Sequence, residues 1–342
     1  MTDRTDPNAG AITPDEYRSA ALAVEAEVRK MIVGQDKLIR EVLTCLFAEG
    51  HALIEGVPGL GKTMLLRTLA DALDLEFSRI QFTPDLMPAD IVGTQVFNED
   101  EDGRRRFEFS PGPLFANLTL ADEVNRATPK TQSALLEAMQ ERAATVAGET
   151  RPMPRPFFVM ATQNPIEMEG TYPLPEAQLD RFLLKILVEP PEPEDLVSIL
   201  ERTTTRYEPN ITRVLDAARL RRMIALTREV PLAPHLARHV AALVAATNPQ
   251  RPEAPELVRR YVRFGSSPRG AQALVLGAKV NALLEGRLNV AEEDVKTVAR
   301  PALRHRVILS YEALADGVAP DALVDAVVSH VPSPSKEVEA LG

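Results

Sequence analysis

A glycine-rich run, Gly56-Val57-Pro58-Gly59-Leu60-Gly61-Lys62-Thr63, constrains this chain more than any other feature. It follows a short apolar stretch, His51-Ala52-Leu53-Ile54-Glu55, and opens a segment in which Leu65, Leu66, Leu69 and Leu73 return with helical spacing. Strand, glycine turn and helix in that order are the setting in which such a run wraps phosphate oxygens with backbone N–H groups. The helix aims the positive end of its dipole at the same oxygens. Gly56, Val57, Gly59, Leu60 and Gly61 are then the cradle, and Met64 lies in the first helical turn. Lys62 is expected to reach the β- and γ-phosphates and the Thr63 hydroxyl to ligate Mg²⁺, so ATP with Mg²⁺ is the expected pair.

Downstream, Leu118-Thr119-Leu120-Ala121 reads as a buried strand ending in Asp122-Glu123. In a parallel sheet the ligand lies beyond the carboxyl ends of the strands. That places Asp122 by the Mg²⁺ ion and Glu123 beside the γ-phosphate, as the base for an attacking water. Two acids at a strand end are common in isolation; behind a phosphate cradle they become specific. Phe157-Phe158-Val159-Met160-Ala161-Thr162 is a further buried strand, followed by Gln163-Asn164-Pro165. Asn164 can hold that water or form an Asx turn before Pro165, and the two roles are compatible.

The 342 residues exceed what one core supports, about 250–300 residues, so two packed units are expected. Strand-like runs at 51–55, 76–82, 117–121, 156–161 and 183–188 alternate with helical text, the pattern of a parallel sheet covered on both faces. Two segments break the rhythm. Residues 94–109 read as a hairpin around Asp102-Gly103, and 143–157 as a second hairpin around Gly148. A turn at 189–195 marks a boundary, beyond which helical patterns cover 212–228, 234–247, 255–263, 269–285, 291–305 and 320–330. The expected division is a polar tail at 1–13, an α/β nucleotide-binding domain at 14–190, an all-helical domain at 191–331 and a flexible tail at 332–342. Thr13 and Pro14 should cap and open the first helix.

Composition excludes other classes. A net charge of −10 gives little counterion release on nucleic acid, so a nucleic-acid partner is not expected. The longest uncharged stretch, 109–121, holds two prolines and a glycine and falls short of the ~18 apolar residues of a membrane span. The opening residues contain no apolar core of a secretory signal, so a cytoplasmic location is expected. The single cysteine, Cys45, sits in an apolar run and should be a buried thiol, with no intrachain disulfide. His235 and His239 lie four apart on a helix, but no HExxH motif supports a metal pair.

Together these residues resemble the AAA+ ATPases, and within them the MoxR family. The resemblance runs from about Ile32 through the helical region, and its most specific blocks are ADEVNRATPKTQSALLEAMQE (121–141) and ATQNPIEMEGTYPLPEAQLDRF (161–182). Met168 departs from the glutamine expected there. The resemblance implies a P-loop α/β core with sheet order 5-1-4-3-2, β-hairpin insertions and a helical lid. ATP would bind between core and lid at the border of two subunits in a homo-oligomeric ring, usually a hexamer. It makes Asp122 and Glu123 the Walker B pair, Asn164 sensor 1, and Arg181 the arginine finger reaching the neighbour's γ-phosphate. Arg269, opening a lid helix, resembles sensor 2, and Val33-Gly34-Gln35 the segment flanking the adenine. Arg126, directly after Walker B, is the rival finger. The hairpins would lie near the axial face of the ring, the first with Arg104-Arg105-Arg106 beside a run of acids.

The implied activity is ATP hydrolysis coupled to remodelling of a client protein, in some members with a von Willebrand factor A domain partner. Competing readings are a DNA-acting motor of the same branch, a small-molecule kinase, and a nucleotide-gated scaffold with little turnover. Glu123 and Asn164 favour activation of water over a bound acceptor, and an intact Lys62 favours turnover.

Overall fold

The computed structural model describes residues 12–57, 59–99, 105–164, 171–206 and 209–333. Two helices precede the sheet: α1 (Pro14–Met31) and α2 (Asp36–Phe47). Thr13 caps α1 through a reciprocal box: its hydroxyl accepts from the Glu16 N–H at 3.2 Å, and Glu16 accepts from the Thr13 N–H at 2.8 Å. Then follow β1 (Ala52–Glu55), α3 (Lys62–Leu73), β2 (Phe77–Gln81), α4 (Pro88–Val92), and a hairpin of β3 (Gly93–Glu99) and β4 (Arg105–Pro111). Next come β5 (Leu118–Asp122), α5 (Pro129–Glu141), a second hairpin of β6 (Ala143–Val146) and β7 (Glu149–Pro152), β8 (Phe158–Gln163), α6 (Glu176–Leu179) and β9 (Leu184–Leu187). The helical half holds α7 (Pro193–Thr203), α8 (Ala217–Glu229), α9 (Pro234–Ala246), α10 (Glu256–Tyr261), β10 (Val262–Phe264), α11 (Pro268–Leu284), α12 (Glu292–Leu303), β11 (Ile308–Leu309), α13 (Tyr311–Ala315) and α14 (Pro320–His330).

The central sheet is parallel throughout, in the order β2-β5-β8-β1-β9. Counting only these five strands along the chain, that is the expected 5-1-4-3-2. Alternation within the strands feeds two cores, as the two-residue period of a strand requires. Ala52, Ile54, Phe158 and Met160 face α1, α2 and α3. Leu53, Val159 and Ala161 face α4 and α5 on the other side.

The first core runs on without a break into the helical half. Helix α1 is the bridge: Tyr17 is fully buried, and its hydroxyl shares a 3.2 Å hydrogen bond with the Thr227 hydroxyl on α8. Helix α12 packs along β9. The helical half therefore sits against the β9 edge and α1. Among the described residues, none from α8 to α14 lines the cavity above the glycine loop.

Several details differ from the sequence reading: α7 opens inside the turn expected at 189–195, and the helix expected over 212–228 begins at Ala217. The hairpin read over 143–157 pairs only as far as Pro152, because Pro152, Pro154 and Pro156 lack the N–H that a ladder needs. The helix expected over 255–263 ends at Tyr261, where Val262–Phe264 pairs antiparallel with Ile308–Leu309, so the helical half carries a short ribbon. His51 does not join β1; its buried ring bridges elements instead, with Nδ1 accepting from the Val159 N–H at 3.0 Å and Nε2 facing the Met139 carbonyl at 3.1 Å. Burial pushes its pKa down to about 4. The tip of the first hairpin, Met168, and the tails at 1–11 and 334–342 lie outside the described residues.

Glu41 on α2 yields a stability prediction. Burial pushes its carboxyl up to about 7, with Lys37, Arg304 and Asp321 as charged neighbours, and its Oε2 has no hydrogen-bond partner among the described residues. Because its folded pKa lies above the unfolded value of 4.5, the fold binds the extra proton between those values. Stability from this group is therefore full at low pH and lost as pH rises towards 7. Glu41→Gln is expected to stabilise the chain by about 1–3 kcal/mol near ~pH 8 and by almost nothing near ~pH 4.5. Urea unfolding of both chains at each pH checks this, and an equal shift at both would contradict it.

Candidate active site

The glycine loop leaves β1 at Glu55 and turns sharply to open α3. Gly59 and Gly61 hold φ of +87° and +76°, left-handed values that other residues rarely adopt. Gly61 also occupies the N-cap position of α3, so the free N–H groups of the first helical turn face the cavity. Gly56 is needed for closeness: a Cβ there would lie 2.9 Å from Val188, just past β9. Lys62 Nζ donates to the Gly56 carbonyl at 2.7 Å. Its pKa is lowered by burial, against the opposing pull of Asp122 and Glu123.

The acids arrive from β5, which β8 separates from β1. Asp122 ends β5, and Glu123 follows in a left-handed conformation at φ +57°. One hydroxyl fixes both: Thr162 Oγ1 on β8 donates to Asp122 Oδ1 at 2.6 Å and accepts from the Glu123 N–H at 2.9 Å. On β2, Arg79 Nη2 donates to Asp122 Oδ2 at 2.7 Å, and Gln81 Nε2 donates to Glu123 Oε2 at 2.9 Å. Arg126 Nη1 donates to the same Glu123 oxygen at 3.0 Å. Asn164, buried one residue past β8, lines the same cavity of about 400 Å³ as Gly59, Lys62, Thr63, Asp122 and Glu123.

Val33-Gly34-Gln35, joining α1 to α2, folds in beside this loop. Gly34 has φ +67°, and a Cβ on it would lie 2.0 Å from the Asp195 carboxylate on α7. Gln35 Nε2 donates to the Glu189 carbonyl at 3.1 Å. A Cβ on Gly61 would stand 3.5 Å from Ile32. Helix α7 and the α1–α2 junction thus flank the glycine loop.

Arg181 and Arg269 are elsewhere. They share a second cavity of about 280 Å³, with Arg142, Arg228 and Gln140 in its walls and no lining residue in common with the first. Arg181 Nη1 donates to the Leu136 carbonyl on α5 at 2.8 Å, and Arg269 Nη2 reaches Gln140 Oε1 at 3.4 Å. Within a single chain, the described residues of the helical half approach the α1–α2 junction through α7, and none from α8 to α14 lines the first cavity. The lid is docked on the β9 edge by α1 and α12, which carries Arg269 away from the glycine loop. Arg126, by contrast, lies at the chain's own Glu123.

The sequence reading missed Thr162, Arg79 and Gln81. A partial signal for the last two existed, since Arg79 and Gln81 are polar at alternate positions of a strand; the register that sets Gln81 beside Asp122 is seen only in the structure. Thr63 hydroxyl and Asp122 carboxylate are hard oxygen donors, the kind Mg²⁺ takes together with phosphate oxygens. A roomy cradle with left-handed glycines, a half-buried lysine and those donors fits a nucleoside triphosphate with its metal. The described residues contain no group of three or more His, Cys, Asp or Glu side chains that could hold a metal ion.

Residues 51–184 match the ATPase family associated with various cellular activities (AAA), and residues 254–327 match the AAA lid domain. The chain is 45% identical over 308 residues to the chaperone MoxR1 of Mycobacterium tuberculosis, covering 90% of this chain and 81% of that one. It is 35% identical over 340 residues to the protein MoxR of Methylorubrum extorquens, covering 93% and 96%. The solved structure of a protein described as an ATPase from Cytophaga hutchinsonii superposes with a TM-score of 0.87 at 39% identity, covering 93% of this chain and 96% of that one. Nucleotide binding and ATP hydrolysis follow from these matches. The chain belongs to the MoxR family of AAA+ ATPases.

Proposed function

We propose that this ATPase works as a ring, most simply a hexamer, in which each nucleotide is enclosed by two subunits, and that hydrolysis remodels a client protein. The observation that carries this reading is the separation of the two cavities. Lys62, Asp122, Glu123 and Asn164 gather in one, while Arg181 and Arg269 gather in the other. A phosphate cradle without its arginines and an arginine cluster without a cradle are complementary halves. Joining them head to tail gives a heterologous contact, which closes into a ring when the rotation permits.

In such a site the backbone N–H groups of 59–64 and Lys62 would hold the phosphates. Thr63 and Asp122 would hold Mg²⁺, which when bound with ATP offsets charge on the β- and γ-oxygens. Glu123 would take the proton of the attacking water, and Asn164 would orient that water. Val33 and Gly34, with α7, would border the adenine. Arg181 and Arg269 would approach the γ-phosphate of the next subunit, where planar guanidinium groups match developing charge on the phosphoryl oxygens. The proposed division remains 14–190 for the nucleotide-binding domain and 191–331 for the lid. The mycobacterial relative is named a chaperone, and a client protein, with or without a von Willebrand factor A domain partner, is the extension of that role to this chain. No helix of the described residues is long and apolar enough to cross a membrane, in keeping with a proposed cytoplasmic site of action.

ATP turnover per subunit, measured along a dilution series with Mg²⁺ and then with EDTA, tests the reading. Specific activity is expected to rise with protein concentration and to vanish with chelation. Activity per subunit that stays constant on dilution would show a self-contained site and end the shared-site proposal.

A further inference from the structure

Three consecutive basic residues after α12, Arg304, His305 and Arg306, are each only 5% exposed. All three address the backbone leading into β9. Arg304 Nη1 donates to the Lys185 carbonyl at 3.2 Å while its other nitrogens grip Asp321, and His305 Nε2 meets the Phe182 carbonyl at 3.2 Å. Arg306 goes furthest. Its Nε donates to Asp180 Oδ1 at 2.8 Å. Its Nη2 donates to the carbonyls of Asp180 at 3.0 Å and Phe182 at 2.6 Å. Its Nη1 donates to the carbonyls of Leu183 at 3.0 Å and Ala302. A guanidinium has five N–H donors, and here all five are used. Four of them go to residues 180–183, on both sides of Arg181.

The same carboxylate reaches the other arginine. Asp180 Oδ2 accepts from the Ser267 hydroxyl at 2.8 Å, and that hydroxyl caps α11 by accepting from the backbone N–H of Arg269 at 3.1 Å. A chain of hydrogen bonds thus runs from Arg306 through Asp180 and Ser267 to Arg269. We infer that Arg306, Asp180 and Ser267 form a positioning clamp that locks the roots of Arg181 and Arg269 into one rigid face, so that both meet the neighbouring subunit's γ-phosphate together. This rests on the shared-site reading above. Stability alone is a weak reason for the arrangement, because a buried ion pair is often matched or bettered by apolar residues of equal volume. Geometry is the stronger reason: the pair crosses from the helical half to the residue beside Arg181, and a misplacement of one ångström at a reacting group can cost about 10²-fold in rate.

The test is subunit mixing. Arg306→Lys keeps the charge but has a compact ammonium in place of the fork; Ser267→Ala removes the bond to Asp180 and the cap of α11 while leaving Arg306 on Asp180. Steady-state ATPase assays on the full chain are expected to show kcat lower by about 10²-fold for Arg306→Lys and about tenfold for Ser267→Ala, with KM for ATP within about twofold. Each variant is then mixed in equal amounts with Glu123→Gln subunits, whose own site is inactive and whose arginine face is intact. Turnover is expected to exceed the sum of the two proteins measured alone, since the intact face serves the variant's own unaltered cradle. An Arg181→Ala and Glu123→Gln mixture is the control. If the control regains turnover and the clamp variants do not, the clamp is overturned. If the control itself regains nothing, the shared-site reading fails and the clamp falls with it. Loss of binding of a fluorescent anthraniloyl-ADP by both clamp variants would overturn the clamp too, by making these residues supports of their own cradle.

Discussion

Glu123→Gln is expected to bind ATP as the unaltered chain does and to hydrolyse it about 10²–10⁴ times more slowly, the span that a positioned general base contributes. The site explains why this change should be so clean. Gln81 Nε2 and Arg126 Nη1 both donate to Glu123 Oε2, and an amide oxygen at that place still accepts from both. The backbone bond from the Glu123 N–H to Thr162 is independent of the side chain. Shape and hydrogen bonding therefore survive while the ability to take a proton is lost. Equilibrium binding of ATP and single-turnover hydrolysis measure the two properties separately. Turnover within about tenfold of the unaltered chain would move the base to another group, since tenfold is only ~1.4 kcal/mol of barrier.

What the sequence disclosed about this site follows from how local each feature is. The cradle was legible because strand, glycine turn and helix are contiguous from Ala52 to Leu73, and Gly59 and Gly61 have the required left-handed values. The α1 boundary was legible for the same reason, since Thr13, Pro14 and Glu16 make a cap within one turn. Sheet order came from the resemblance, and without it the neighbours of β5 could not be paired. Thr162, Arg79 and Gln81 were lost at that step, because they reach Asp122 and Glu123 only across strand registers. The position of Arg269 was hidden more deeply. It depends on where the helical half docks, which is decided by contacts far apart in sequence such as Tyr17 with Thr227 and Arg306 with Asp180. Neither contact has a local signature. The run Arg304-His305-Arg306 lies at the end of a helical pattern in the sequence, and only the structure places it in the interior.

Arg181→Ala is expected to leave ATP binding intact and to lower turnover by about 10³–10⁵-fold, the range found when a phosphate-directed arginine is removed from a shared site. Little else should change. Arg181 donates to the Leu136 carbonyl, which belongs to the interior of α5 and keeps its helical partner, so the loss of fold stability should stay within about 0.5 kcal/mol. The rival arginine makes the comparison decisive. Arg126 already spends a donor on the chain's own Glu123, so Arg126→Ala should loosen the base and lower turnover by about tenfold at most, a loss that persists at every protein concentration. The Arg181→Ala defect, in contrast, should abolish the rise of specific activity with concentration, because assembly would no longer supply a guanidinium to the neighbouring phosphate. Measured side by side, near-normal turnover in Arg181→Ala with severe loss in Arg126→Ala would transfer the finger to Arg126. It would also mean that the arginine cavity between α5, α8 and α11 faces something other than the next subunit's nucleotide.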